Sequence, residues 1–323
     1  MFDSYWRFAA RRQEVYLARL RGTAAPWTPD PILGAYRFTN AYRAADRVSQ
    51  YLIRNVIYQT AVPLSDEDLV FRILLFKIFN RIETWELLRS ALGPLTWRSF
   101  SYERYDTALT EAMASGRSIY SGAYIMPSVR AFGHPRKHRN HLLLIERMMR
   151  DGLANTVASA QGMRDVYASL LAYPSIGPFL AYQFAVDINY SELTDFSEND
   201  FVVAGPGAKD GIRKAFRDAD RYDDADTIRF TTDLQGEEFA RRGIEFPNLF
   251  GRPLQLIDCQ NLFCEVSKYA RVRHPNVTGV SGRTRIKQRF TAKGRLPLPW
   301  FPPKWGINDK ASTFLKHESG GWN

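Results

Sequence analysis

Four stretches of the chain carry side chains able to hold an ion or take part in chemistry. The segment RVRHPNVTGVSGRTRIKQRFTAKGR (271–295) holds Arg271, Arg273, Arg283, Arg285, Lys287, Arg289, Lys293 and Arg295 without one acidic residue, a strip suited to phosphates. GPGAKDGIRK (205–214) is a glycine-rich entry to a helix: backbone N–H groups around Gly205 and Gly207 can cradle a phosphate, with Lys209, Arg213 and Lys214 near. No Gly-Lys-Ser/Thr run follows, so the loop points to a phosphate of DNA rather than of a nucleotide. GHPRKHRNH groups His134, His138 and His141, yet Arg136, Lys137 and Arg139 among them repel a cation, so phosphate contact is favoured and no metal is expected. Finally, Asn40, Arg43, Arg47, Gln50 and Arg54 share one face of a helix predicted over roughly 38–60, opposite Ala41, Ala44, Val48, Tyr51, Leu52 and Val56.

The bulk composition sets the frame for these groups. A formal charge of +10 and a pI near 9.6 favour an anionic partner, either nucleic acid or a membrane surface. Hydrophobic residues at 45% of 323 are ample for two lobes or one large helical body. There is no apolar run of membrane-spanning length and no signal-peptide pattern at the N-terminus, so a cytoplasmic monomer without membrane association is expected. The two cysteines, Cys259 and Cys264, are too few for a four-cysteine site and read as reduced core residues of one helix.

The elements that position these residues read as helices. Residues 1–22 have helical spacing and lead into a loop broken by Pro26, Pro29 and Pro31. Ser65 and Asp68 form a capping-box-like start to LVFRILLFKIFNRI, apolar nearly all round and therefore central. MRDVYASLLAYPSIGPFLAYQFAVDINYS places two amphipathic helices on either side of a short Pro/Gly turn. LQLIDCQNLFCEVSKYARV (254–272) is the last helix expected, after which the basic, proline-rich tail is extended or partly disordered. The expected organisation is an N-terminal helix and loop (1–34), a helical lobe (35–160), a hairpin-containing lobe (161–272) and the tail (273–323).

The turn between those two helices, Tyr173 to Ala181, resembles the helix-hairpin-helix of the DNA glycosylase superfamily. Pro174, Ile176, Gly177 and Ala181 match its signature, whereas Ser175 replaces the first glycine and Leu180 a small residue. The resemblance implies a mainly α, two-lobed glycosylase-like fold, with Ser175 and Gly177 near a DNA phosphate. It also implies a catalytic aspartate at the entrance to the following helix. Here Gly205-Pro206-Gly207 occupies that place, so the nearest substitutes are Asp200 and Asp187. Either would steady an oxocarbenium-like sugar or position a water, unless Asp200 only caps a turn and Asp187 only pairs with a cation. Phe179 stands where lyase-type members carry a Schiff-base lysine.

A second resemblance is more extensive. RFTNAYRAADRVSQYLIR (37–54), FRILLFKIFNRIETWELL (71–88), DINYS, ENDFVVAGPGA and DCQNLFCEVSKYARV together resemble the 5-hydroxymethyluracil DNA kinase helical domains, also called alpha-glutamyl/putrescinyl thymine pyrophosphorylase-like proteins. The family is associated with phage DNA hypermodification, and related bacterial proteins resemble glycosylases that remove bulky modified bases. Shared with it are polar residues inside apolar helices: Asn40, Arg43, Asp46, Arg47 and Gln50; Lys77, Asn80 and Trp85; Gln260, Asn261, Glu265 and Lys268. Buried groups of this kind must pair with one another or with a ligand, and they suit the edge of a flipped base, on which Tyr42, Trp85 or Tyr124 would stack.

Taken together, these features lead to the expectation of a monofunctional DNA glycosylase without a cofactor. It would excise a bulky modified pyrimidine from double-stranded phage-type DNA in antiviral defence, using Asp200 or Asp187. Asn40, Arg43, Asp46, Arg47, Gln50, Trp85, Gln260, Asn261, Glu265 and Lys268 would read the base. Ser175, Gly177, Gly205, Gly207, Lys209, Arg283, Arg285 and Lys287 would hold the phosphates. The alternatives are a transferase acting on hydroxymethylpyrimidines in DNA and a non-catalytic binder of modified DNA.

Overall fold

In a computed structural model that describes residues 1–122, 126–292, 294 and 296–319, the protein is mainly α-helical, as expected, and forms no strand among the described residues. Its contacts divide the chain into two units, Met1–Asp46 with Glu198–Asn323, and Arg47–Ser197. The boundaries expected near 35, 161 and 273 fall inside these units rather than between them. The first unit opens with α1 (Phe2–Arg21) and α2 (Pro31–Ala35). The second holds α3 (Arg47–Tyr51), α4 (Asp66–Phe79), α5 (Ile82–Leu92), α6 (Tyr102–Ala114), α7 (Lys137–Arg150), α8 (Leu153–Ala158), α9 (Met163–Leu171) and α10 (Pro178–Ile188). The chain returns to the first unit for α11 (Pro206–Ala215), α12 (Asp224–Asp233), α13 (Gln235–Arg241), α14 (Leu256–Arg273) and α15 (Asn308–Ser319). Among the described residues no helix is long and apolar enough to cross a membrane.

In the second unit, α4 is buried from Val70 to Phe79, as its nearly uniform apolar sequence requires. Ser65 and Asp68 exchange the reciprocal bonds of a capping box, worth about 1 kcal/mol. Two cations lie inside. Lys77 pairs with Asp187 of α10 at 2.8 Å. Arg72 donates to the carbonyls of Asn55, Val56 and Leu95 and so holds a π-helical stretch, Leu52–Tyr58, against α4.

The single helix expected over 38–60 does not form. Residues 39–42 are irregular, Arg43–Ala45 make a 3-10 turn, and α3 and the π-helix follow. Short polar side chains capture the backbone groups that a helix would have paired: Asn40 Nδ2 donates to the Ala45 carbonyl at 2.7 Å, and Asp46 Oδ1 accepts from the Asn40 N–H at 2.8 Å. The five polar residues placed on one helical face therefore do not share one.

In the first unit, α11 lies directly on α14 because Gly207 and Gly211 have no side chains. A Cβ at Gly211 would overlap the Phe263 carbonyl oxygen, and one at Gly207 would overlap Cys264 Sγ. Both cysteines are free thiols whose surroundings push each up to about 12; Cys259 is a core residue, as expected, whereas Cys264 is only partly buried. The basic tail is extended and lies antiparallel to residues 35–37: Arg37 N–H donates to Gln288 O at 3.1 Å, and Phe290 N–H to Ala35 O at 3.0 Å. Within it Asn308–Ser319 form α15, a helix where the proline-rich sequence implied extended or partly disordered chain.

Candidate functional site

Within the first unit, polar side chains gather around residues 39–46. Arg12, buried on α1, donates from Nε to Thr39 O at 2.9 Å and from Nη2 to Asn40 Oδ1 at 2.6 Å. On α14, Asp258, Glu265 and Lys268 fall close to one face because seven residues make nearly two turns. Glu265 Oε2 accepts the Thr39 N–H at 2.9 Å and the Lys268 ammonium at 2.7 Å. Asp258 accepts the Arg43 N–H at 2.8 Å on one oxygen and the Gln255 N–H at 3.0 Å on the other. Tyr42 O–H donates to Arg252 O at 2.8 Å, and the Arg252 guanidinium pairs with the buried Glu198. The loop is thus pinned from α1 on one side and α14 on the other.

This setting changes the acidity of two carboxyls. Burial lifts Asp46 to about 7, with the charge of Glu265 adding to it and the Asn40 N–H, Arg12 and Arg43 opposing. Burial likewise lifts Asp258 to about 7, helped by the nearby negative charge of Glu198. Burial also draws Arg12 down to about 10, so it remains a cation at neutral pH. A carboxyl near neutrality is suited to accept a proton from a reacting group at physiological pH. Both Asp258 oxygens already hold backbone N–H groups, and the residue is 4% exposed. Asp46 is only partly buried and its Oδ2 makes no hydrogen bond among the described residues, so of the two it is the one able to meet a ligand.

The structure thus brings together Asn40, Arg43, Asp46, Glu265 and Lys268, with Lys268 lying over the Phe38 ring at 4.6 Å. Gln260 is buried about 200° around α14 from Asp258 and bonds the Asn261 amide at 3.3 Å. In the second unit, Arg47 is exposed with Glu83 at 3.9 Å, and Gln50 is partly buried. Trp85 is core: it is 3% exposed, under the Arg72 guanidinium and edge-on to Phe76. Tyr42 is also buried, stacked on Phe246, and Tyr124 lies outside the described residues. Asp187 is 1% exposed and ion-paired with Lys77, while Asp200 is exposed beside Arg229, which bonds its backbone carbonyl.

Of the phosphate candidates, Ser175 and Gly177 are exposed at the turn before α10, beside an open recess of about 460 Å³. Ser175 has φ +64°, the left-handed conformation that the glycine of the hairpin signature adopts without strain. Gly205 is buried and Gly207 faces Cys264. The cations near them are engaged by the acidic stretch that follows: Lys209 lies 3.6 Å from Asp224, and Arg213 reaches Asp220 and Asp224, each at 2.5 Å. Arg283, Arg285 and Lys287 are exposed; Lys293 and Arg295 lie outside the described residues. His138 and His141 are buried. Asp106 of α6 stands 2.9 Å from His138, a carboxylate the local sequence did not show, and burial draws His141 down to about 4. Among the described residues no His, Cys, Asp and Glu group is arranged to hold a metal.

Sequence reasoning passed over Arg12, Glu198, Arg252 and Asp258. Asp258 carried a signal, since it lies three residues after Gln255 and completes a capping box with it. Glu198 and Arg252, 54 residues apart, carried none.

Fold and site define a mainly helical domain with neutral-leaning carboxyls, unlike a βαβ nucleotide-binding domain. Residues 1–279 match the family described as 5-hmdU DNA kinase, helical domain, and the chain belongs to that family. The 5-hmdU DNA kinase of Bacillus phage SP10 is 28% identical over 288 residues, which cover 83% of this chain and 45% of the phage protein. The chain therefore spans less than half of that relative's length. No solved structure matches it.

These findings overturn the glycosylase expectation. The family is described as the helical domain of a 5-hmdU DNA kinase and the relative is named such a kinase, an enzyme type that transfers a phosphoryl group instead of hydrolysing a glycosidic bond. The oxocarbenium-steadying roles of Asp200 and Asp187 go with it, as does excision in antiviral defence. The hairpin matches had reported a backbone turn, which many chemistries share, while the glycines at 205 and 207 already departed from the catalytic pattern.

Proposed function

We propose that this chain serves the acceptor side of phosphoryl transfer to DNA carrying 5-hydroxymethyluracil, leaving the glycosidic bond intact. The family match over residues 1–279 carries this reading, and the geometry around Asp46 supports it. When the hydroxymethyl oxygen attacks the terminal phosphorus of a nucleoside triphosphate, an O–P bond forms, the bond to the leaving diphosphate breaks, and the hydroxyl proton must be taken up. Asp46 Oδ2 is the acceptor we assign, an aspartate role that recurs in phosphoryl transfer. Arg12 and Asn40 act as positioning residues that fix the loop carrying Asp46. The sequence contains no Gly-Lys-Ser/Thr loop for the donor's phosphates, so the reading assigns this chain the DNA rather than the donor. Exposed Arg283, Arg285 and Lys287 supply charge for the DNA backbone. Duplex DNA would have to present its base outside the stack.

The test incubates the protein with γ-labelled ATP and DNA containing either 5-hydroxymethyluracil or thymine, with nucleosides read by mass spectrometry and DNA binding measured alongside. Several-fold tighter binding of the hydroxymethyluracil DNA supports the reading, and any label must fall on hydroxymethyluridine. Released free base, or no preference for the modified DNA, contradicts it.

A further inference from the structure

We propose that the 283–290 segment is a track for a single strand of DNA, gripping phosphates along one side and a base at its end. Arg283, Arg285, Lys287 and Arg289 occupy alternate positions of a run that no helix or turn interrupts, and all four are exposed while Ile286 is 8% exposed. Alternate residues of an extended chain face the same way, so the four cations repeat about every 6.7 Å along one edge. None of the four has an acidic partner among the described residues. This contrasts with the paired Lys209 and Arg213 on α11. Arg271 holds the run from behind by donating to Arg285 O at 3.4 Å, and bonds to residues 35–37 fix its far end.

That far end changes from charge to planar groups. Tyr36 and Arg289 form the antiparallel bridge and so share a face, with the guanidinium 4.6 Å over the ring. Behind them the Arg19 guanidinium lies 5.2 Å from the Trp27 ring centroid and 5.4 Å from that of Phe290. Trp27 is held in place by its Nε1–H bond to Thr23 O at 2.7 Å. Arg19, Thr23 and Trp27 border a recess of about 360 Å³. A cation row leading to aromatic and guanidinium planes is the combination that takes unpaired nucleotides, because a duplex hides the faces of its bases. The inference rests on the DNA reading above, but its test uses DNA without any modified base, so each can fail without the other.

The experiment measures fluorescence anisotropy of the whole protein with labelled oligo(dT) and with a thymine–adenine duplex of the same length, across a salt series. Oligo(dT) is expected to bind at least tenfold more tightly than the duplex. The triple variant Arg283→Gln, Arg285→Gln, Lys287→Gln should weaken oligo(dT) binding by tenfold or more and lower the slope of log affinity against log salt by about 2. Tyr36→Leu should weaken it several-fold without moving that slope. All three substituted cations are exposed, so unchanged circular dichroism and melting are expected and keep the comparison valid. Equal or tighter duplex binding overturns the single-strand assignment. A triple variant that folds and keeps full affinity and slope overturns the track.

Discussion

Asp210 and Asp258 are both almost wholly buried in the first unit, at 1% and 4% exposed, yet one is held down to about 2 and the other pushed up to about 7. Burial works against ionisation in both, so their partners decide the outcome. Asp210 receives the Ser267 hydroxyl, the Ser281 N–H at 2.8 Å and the Lys214 ammonium at 3.0 Å. Asp258 receives two backbone N–H groups and has Glu198, a like charge, nearby. Asp46 resembles Asp258 in this respect, with Glu265 as its like-charged neighbour. The first arrangement locks α11, α14 and the 279–281 turn together. The second leaves carboxyls poised to exchange a proton. The two sites also bias stability in opposite directions: Asp210 stabilises above its ordinary range near 3.8 and that contribution is lost as pH falls toward 2, whereas Asp46 and Asp258 favour the folded state at acid pH and that contribution is lost as pH rises through about 7.

The sharpest way to break the contrast is Lys214→Met, which leaves Asp210 buried without its cation. It should cost about 3–5 kcal/mol in denaturant unfolding at neutral pH. Next in size, Asp46→Asn should lower transfer to hydroxymethyluracil DNA about a hundredfold or more, with DNA binding unchanged. Wild-type transfer should rise with pH through about 7, as the carboxyl must be ionised to act, and a rate already flat from pH 5 would remove Asp46 from the role. Asp258→Asn removes a carboxyl that is costly to ionise but leaves one backbone N–H facing an amide nitrogen, so at pH 8 the two effects should nearly offset, with stability within about 1 kcal/mol of the wild type. Its stability should also vary less between pH 4 and 7. A comparably small effect belongs to Ser267→Ala, which strips one donor from Asp210: a loss of about 1 kcal/mol is expected, with Asp210 titrating closer to an ordinary aspartate.

The sequence made legible whatever is written locally. The uniform apolar run of α4, its Ser65–Asp68 cap, the Pro-Gly turn before α10 and the helical 254–272 stretch all form. The family was legible too, because several separate polar motifs carried it. What escaped is non-local. Nothing between 38 and 60 announces that Arg12, far away on α1, will brace Asn40 and that Asp46 will take its N–H. Nor does RRQE, which reads as solvated surface, announce that Arg12 is buried. The same holds for GPGA, whose Gly207 looks like a phosphate cradle until Cys264 is seen against it.

Carboxyl titration by carbon-detected NMR on the ¹³C-labelled protein bears most directly on the claim that these buried carboxyls divide into a lock and a proton acceptor. Two aspartate signals should titrate near pH 7, one lost in Asp46→Asn and the other in Asp258→Asn, while Asp210 stays ionised down to about pH 2–3. Aspartates that all titrate below pH 5 would contradict the account.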